Sequence, residues 1–252
     1  MDKIKLLKQR LNEIALSLKS NPNGLGLLGL GSAGKEINRM DEYSDLDFFV
    51  IVKEGYKQQF IDNLDWLANI HDITWCFKNT EDGYKLLFSD LIFCEFAIFE
   101  PQELVTIPYS EGKFIWKDEC LAEHLCKSAL VKPQISNNET FLLGELLSNL
   151  YVGLCRYQRG EKCSALRFIQ VYAVDRLISL LDLHQRQVSK IDQDEFCLNR
   201  RVEQRHPNYQ QLLLQCMQGS EKSLESAKVM LKFVKQHYNI DKKLEQVIRS
   251  LV

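Results

Sequence analysis

Along residues 2–19 apolar side chains return every three or four positions, with Leu7, Leu11, Ile14 and Leu18 set against Lys3, Lys5, Lys8 and Arg10. That period predicts an amphipathic helix, and Asn21-Pro22-Asn23-Gly24 closes it. Apolar runs then predict a strand over 25–30 and another over 46–52. One short helix is expected between them at 32–43, with Ser32 as its cap. Residues 56–70 return to helical spacing through Phe60, Leu64 and Leu67. The period next falls to two: 72–77 and 84–88 flank Asn79-Thr80-Glu81-Asp82-Gly83, the pattern of a hairpin. A third apolar strand is expected over 91–99 with one charge inside it, Glu95, and short extended or turn segments over 101–118.

From Asn137 the pattern changes. No proline occurs until Pro207, and helical spacing predicts helices over 138–158, 162–184, 199–217 and 220–238, with a short tail. The layout is an α/β half, 1–135, followed by an all-α half, 136–252.

Composition narrows the function classes. The chain has 252 residues, 45% hydrophobic and 26% charged, as in soluble globular proteins of one or two domains. A net charge of −2 gives no basic field for nucleic acid, so a small-molecule partner is expected. Eight cysteines without a CxxC pair suit reduced thiols. The N-terminus lacks the apolar h-region of a signal peptide. No run approaches the ~20 apolar residues that span a bilayer. A cytoplasmic protein without a membrane partner is expected.

The candidate chemistry lies in residues 25–52, LGLLGLGSAGKEINRMDEYSDLDFFVIV. Three phosphate-binding motifs compete there. Gly29-x4-Gly34-Lys35 fits a Walker A loop, but Glu36 stands where Ser or Thr should meet Mg²⁺. Gly29-x-Gly31-x-x-Gly34 fits a dinucleotide fingerprint, with Glu54 near the place of a ribose-binding acid, yet it leaves Asp45 and Asp47 unexplained. The third is a nucleotidyltransferase signature: Gly31-Ser32 after a strand, then a short helix, then Asp45-x-Asp47 opening the next strand. Gly31 lets the backbone approach a phosphate, a helix N-terminus behind it supplies donors, and Ser32 adds a hydroxyl. Carboxylates at i and i+2 share one face of a strand, ~7 Å apart, and can hold Mg²⁺. Lys35 and Arg39 could screen triphosphate charge, or form a solvated helix face. Glu95, among apolar neighbours, is either neutralised by a basic partner or turned to the metal cleft as a ligand or general base.

Gly31-Ser32, Ser44-Asp45-Leu46-Asp47-Phe48 and the distant Glu95 strand together resemble the DNA polymerase beta-type nucleotidyltransferase superfamily. Tyr43-Ser44-Asp45, Glu95-Phe96, Ile107-Pro108, Asn149-Leu150 and Arg159-Gly160-Glu161 are similar to the two-domain lincosamide nucleotidyltransferases, which differ in having Asp-x-Glu at Asp45-x-Asp47. The resemblance implies an α+β protein. Its catalytic domain at 1–135 would have a nucleotidyltransferase fold, a mixed sheet flanked by helices, and an all-α bundle at 136–252 would bind the acceptor. It implies transfer of a nucleoside monophosphate from an NTP, ATP foremost, to a hydroxyl of a small molecule. The acceptor would be an antibiotic of lincosamide or, next, aminoglycoside type. Asp45, Asp47 and Glu95 would hold Mg²⁺, two ions in all, with Glu95 as catalytic base. Gly31, Ser32 and Lys35 would contact the nucleotide. A homodimer is allowed. The alternative is a nucleotide-binding regulatory or toxin–antitoxin-type protein on the same fold.

Lesser candidates are Cys120-x3-His124-x-Cys126, one ligand short of a closed zinc site, and the basic group Arg156, Arg159, Lys162 and Arg167 around the Gly160 turn. Arg201-x4-His206 resembles the pair of HEPN-type ribonucleases, although Pro207 argues for a helix start there.

Overall fold

The computed structural model describes residues 2–130, 138–185, 194 and 197–252. The chain divides into two compact units, Met1–Lys132 and Pro133–Val252; the expected 135/136 boundary lies outside the described residues.

The first unit opens with helix α1, Lys3–Ser20, whose Asp2 side chain accepts the Ile4 N–H at 3.1 Å. Its Leu7, Leu11, Ile14, Ala15 and Leu18 form one buried stripe, as the spacing predicts. Arg10 lies in that stripe too. It is bonded to Asp90 at 2.8 Å and Glu13 at 2.9 Å and lies over the Phe88 ring, so the buried cation is paired.

Six strands follow: β1 Gly24–Gly29, β2 Leu46–Val52, β3 Ile73–Lys78, β4 Gly83–Phe88, β5 Phe93–Phe99 and β6 Lys113–Lys117. They form one mixed sheet in the order β3-β4-β5-β2-β1-β6, in which β2 and β5 are parallel and every other pair is antiparallel. Between β2 and β3 the expected single helix is two short ones, α2 Lys57–Asp62 and α3 Asp65–Ala68, parted at Asn63.

The sheet buries one face more fully than the other. Leu46, Phe48, Val50 and Val52 of β2, Cys94, Phe96 and Ile98 of β5, and Leu86 and Phe88 of β4 pack under α1 and α3. Phe48 and Phe96 stack at 5.2 Å. On the opposite face Ile51 and Phe99 are covered by Leu104, Tyr109, Leu121 and Leu125. That cover protects the later residues of β2 and β5. The earlier residues of the same face, Asp47, Phe93 and Glu95, are only half-buried.

The second unit is all-helical: α4 Glu139–Gln158, α5 Lys162–Leu166 continuing through a π-wound stretch Arg167–Tyr172 into α6 Ala173–Gln185, α7 Val202–Arg205, α8 Gln210–Cys216, α9 Ser223–His237 and α10 Lys242–Ser250. Leucines of α4 and α6 build its core with Leu213, Met230 and Val234. The helix expected over 199–217 is interrupted at His206, because Pro207 cannot continue a hydrogen-bond ladder and instead opens a new turn. No helix among the described residues is long and apolar enough to cross a membrane.

Candidate active site

β1 ends beside the start of β2, with Gly29 paired to Phe48. The Leu30 N–H donates to the Asp47 carbonyl at 2.8 Å, so the chain leaving β1 is fastened to the acid-bearing end of β2. It then makes two 3-10 turns, Gly31–Ala33 and Ile37–Arg39, where one helix was expected. The cause is local. Gly34, the third residue of the expected helix, sits at φ −124°, ψ −115°, outside the helical region. A Cβ on Gly34 would lie 2.0 Å from the Gly29 carbonyl oxygen, so the loop folds back against β1 more tightly than a side chain allows. Backbone N–H groups of a three-residue turn therefore stand where a helix N-terminus was expected. Ser32 is buried in that turn. Lys35 is exposed and ion-paired to Glu111 at 2.6 Å, while Arg39 is paired to Glu36.

Asp45 is presented by a turn built on Asp41, whose carboxylate accepts the Tyr43 N–H at 2.9 Å and the Ser44 hydroxyl at 3.0 Å. Asp47 follows as the second residue of β2. Since Leu46 and Phe48 fill the core, alternation sends Asp47 to the opposite, open face. Glu95 occupies the matching position of β5, because the parallel register pairs Asp47 with Glu95. Neighbouring strands are ~4.8 Å apart, so the two carboxylates share one face one strand apart.

From the sequence, Glu95 is either neutralised by a basic partner or turned to the metal cleft near Asp47. It has the basic partner, Lys85 Nζ at 3.1 Å from Oε2, with Asn79 Nδ2 donating to Oε1 at 3.1 Å, and it shares its half-buried face with Asp47. The sequence reading did not single out Lys85 or Asn79. The hairpin signature contained the information, since a turn over 79–83 sets Phe77 opposite Lys85, and Lys85 opposite Glu95. The result is one row across four strands: Phe77, Lys85, Glu95, Asp47.

On the core side of the same strand, burial, with Asp45, Asp47 and Asp90 nearby, pushes the Cys94 thiol far above its ordinary range, and Arg10 opposes this only in part. Cys94 is therefore a small core residue and no nucleophile.

Among the described residues no group of three or more His, Cys, Asp or Glu side chains is gathered closely enough to hold a metal ion. The donor set at Asp47 and Glu95 does not make a protein-only cage. It fits a cation such as Mg²⁺, which is commonly held by one or two carboxylates and completed by substrate phosphates and water. Asp47 and Glu95 are the residues that would hold it, while Asp45 does not join them in the group of three carboxylates expected from the sequence.

The lesser candidates fall elsewhere. Cys120 and Cys126 take part in no metal-binding group. His206 is 2% exposed and lies 2.6 Å from Asp182, which also accepts from Arg205 at 3.2 Å; a ribonuclease pair would need access that this histidine lacks. Arg156 lies over Phe168, Arg167 over Tyr172 and Lys162 over Tyr157, so these cations are engaged with rings of their own unit.

No protein-family model matches the chain, and no curated protein matches it in sequence. One solved structure, an aminoglycoside 6-adenyltransferase from Bacillus subtilis, aligns over 97% of this chain and 97% of its own, at a TM-score of 0.40 and 11% identity. A likeness of that size identifies neither an activity nor a substrate.

Proposed function

We propose that the protein is a Mg²⁺-dependent nucleotidyltransferase that moves a nucleoside monophosphate from an NTP to a hydroxyl of a small molecule, an antibiotic of lincosamide or aminoglycoside type foremost. The observation that carries the reading is the register of Asp47 with Glu95 on adjacent parallel strands, open on one face and flanked by the Gly31–Ala33 turn.

The chain's own residues divide the work. The Gly31 and Ser32 N–H groups of the turn meet the β- and γ-phosphates, since the Ala33 N–H donates to the Leu30 carbonyl at 2.9 Å, and the Ser32 side chain stands in the same turn. Asp45 and Asp47 bring negative charge to where a triphosphate must be held as its cation complex. When bound, Mg²⁺ supplies charge neutralisation and polarises the α-phosphorus. Glu95 takes the proton from the acceptor hydroxyl at one carboxylate oxygen. Lys85 and Asn79 each hold one Glu95 oxygen, so the base is oriented before substrate arrives.

Incubation with Mg-ATP and a panel of lincosamides and aminoglycosides, read by mass spectrometry, tests this. One acceptor gains the mass of a single adenylyl group, AMP less one water. Glu95→Gln lowers the rate roughly 10²–10⁴-fold, the usual effect of losing a general base, and Asp47→Asn removes the product. Unchanged rates in both variants would sink the site assignment. Nucleotide binding without transfer to any acceptor would favour the regulatory alternative.

A further inference from the structure

The open face carries a second row beside the acids. Trp75 of β3 is paired with Leu87 of β4, and Leu87 with Phe93 of β5, so Trp75 and Phe93 share the face of Lys85 and Glu95. Trp75 stacks on Phe93 with ring centroids 6.3 Å apart and planes at 23°, and on Phe77 at 6.1 Å and 30°. Trp75 is 45% exposed and Phe77 53%. Large aromatic side chains on an edge strand are a liability that proteins usually bury or replace with charge. Here they form a three-ring strip in which Phe77 stands in the acid row and Phe93 lies two residues before Glu95 on the same strand.

The direction of the reaction says what such a strip would meet. In phosphoryl transfer the attacking and leaving oxygens lie roughly in line on opposite sides of the phosphorus. The Gly31–Ala33 turn, where pyrophosphate would leave, is on the β1 side of Asp47. The sheet order places Glu95, then Lys85, then Trp75 and Phe77 on the other side. The strip therefore lies on the side from which the acceptor approaches. Lys85 is ion-paired to Glu95 at 3.1 Å with Asp47 on the next strand, so the row carries no excess positive charge. Its selectivity comes from the rings, which favour a flat or alkyl surface.

We propose that Trp75, Phe77 and Phe93 are the acceptor platform of this site. The acceptor is an amphiphilic hydroxylated molecule, which lays its flat or alkyl face on Trp75 and turns a hydroxyl to Glu95. This rests on the nucleotidyltransferase reading.

The test is calorimetric titration of the full chain, without nucleotide, with lincomycin as the amphiphilic probe and kanamycin as the polycation. Lincomycin binds wild type, binds Trp75→Ala about tenfold more weakly, as loss of an aromatic contact predicts, and binds Trp75→Phe nearly as well as wild type. Kanamycin, which has no flat or alkyl face, binds wild type more weakly than lincomycin does and is indifferent to Trp75→Ala. Lincomycin binding that is absent, or is unchanged in Trp75→Ala, overturns the platform, as does preferential binding of kanamycin. So does sedimentation showing a dimer that Trp75→Ala converts to monomer, since the strip would then be an edge between two copies. A separate titration with Mg²⁺ and a non-hydrolysable ATP analogue reads the underlying function. No binding to wild type there would fail the nucleotidyltransferase reading while leaving the platform to be judged on lincomycin alone.

Discussion

The Gly31–Ala33 turn depends on atoms that are missing. Gly34 and Gly29 meet backbone to backbone, and a Cβ on Gly34 would fall 2.0 Å from the Gly29 carbonyl oxygen. Gly34→Ala therefore forces the turn off β1. Its expected cost is about 1–3 kcal/mol of stability, as for other overpacked sites, together with weaker ATP binding, read by urea midpoint and titration. Gly144→Ala is the matched control: nothing lies within 4 Å of its added Cβ, and in mid-helix α4 it should be neutral or stabilising by up to about 1 kcal/mol. At this scale Asp45 and Asp47 were legible, because alternation around Leu46 and Phe48 needs only the strand itself. The setting of Glu95 was not. Whether its face is open or covered depends on the distant segment bearing Leu104 and Tyr109, which shields Phe99 and stops short of Glu95.

Among elements, α6 and the residues before α8 are joined by one buried polar knot. Asp182 accepts from Arg205 at 3.2 Å through both oxygens and lies 2.6 Å from His206, while Arg205 also donates to the carbonyls of Leu198 and Arg200. Asp182→Ala leaves a buried guanidinium without its counter-ion, an expected loss of roughly 3–5 kcal/mol. Thermal or urea unfolding would show it, and a loss below 1 kcal/mol would mean that the knot behaves like a surface pair. Long helices such as α4 and α9 were readable from their apolar stripes. The 32–43 segment was read as one helix capped by Ser32. Backbone geometry at Gly34 overrode that reading, since a cap residue carries no information about the dihedrals two residues on. The break at His206 was signalled by Pro207, and only its consequence for α7 and α8 was missed.

For the whole molecule, the strongest titration signals point to alkaline sensitivity. Burial pushes the Cys216 thiol up from 9.0 to about 12, the Tyr109 phenol from 10.0 to about 12, and the Tyr238 phenol likewise, with Glu139 and Tyr209 adding to the last. Each group stays protonated when folded and ionises first when unfolded. Above pH 9.0 the unfolded chain therefore binds fewer protons than the folded one, and stability falls as pH rises toward about 12. The slope from Cys216 alone approaches roughly 1.4 kcal/mol per pH unit. Urea midpoints measured below and above pH 9.0 should show the fall, and Cys216→Ala should make it shallower. A flat profile would mean that these groups are more hydrated than their burial implies.

The parallel pairing of β2 with β5 carries a kinetic consequence. The β3–β4 and β4–β5 pairs are local hairpin contacts, but Asp47 and Glu95 meet only after the chain has passed through α2, α3 and the β3–β4 hairpin. Non-local pairings of this kind form late, since loop closure must precede them. During refolding, helical signal and hairpin formation should return before the acid row is complete. The molecule would then hold most of its backbone order for a time without any capacity to bind a nucleotide.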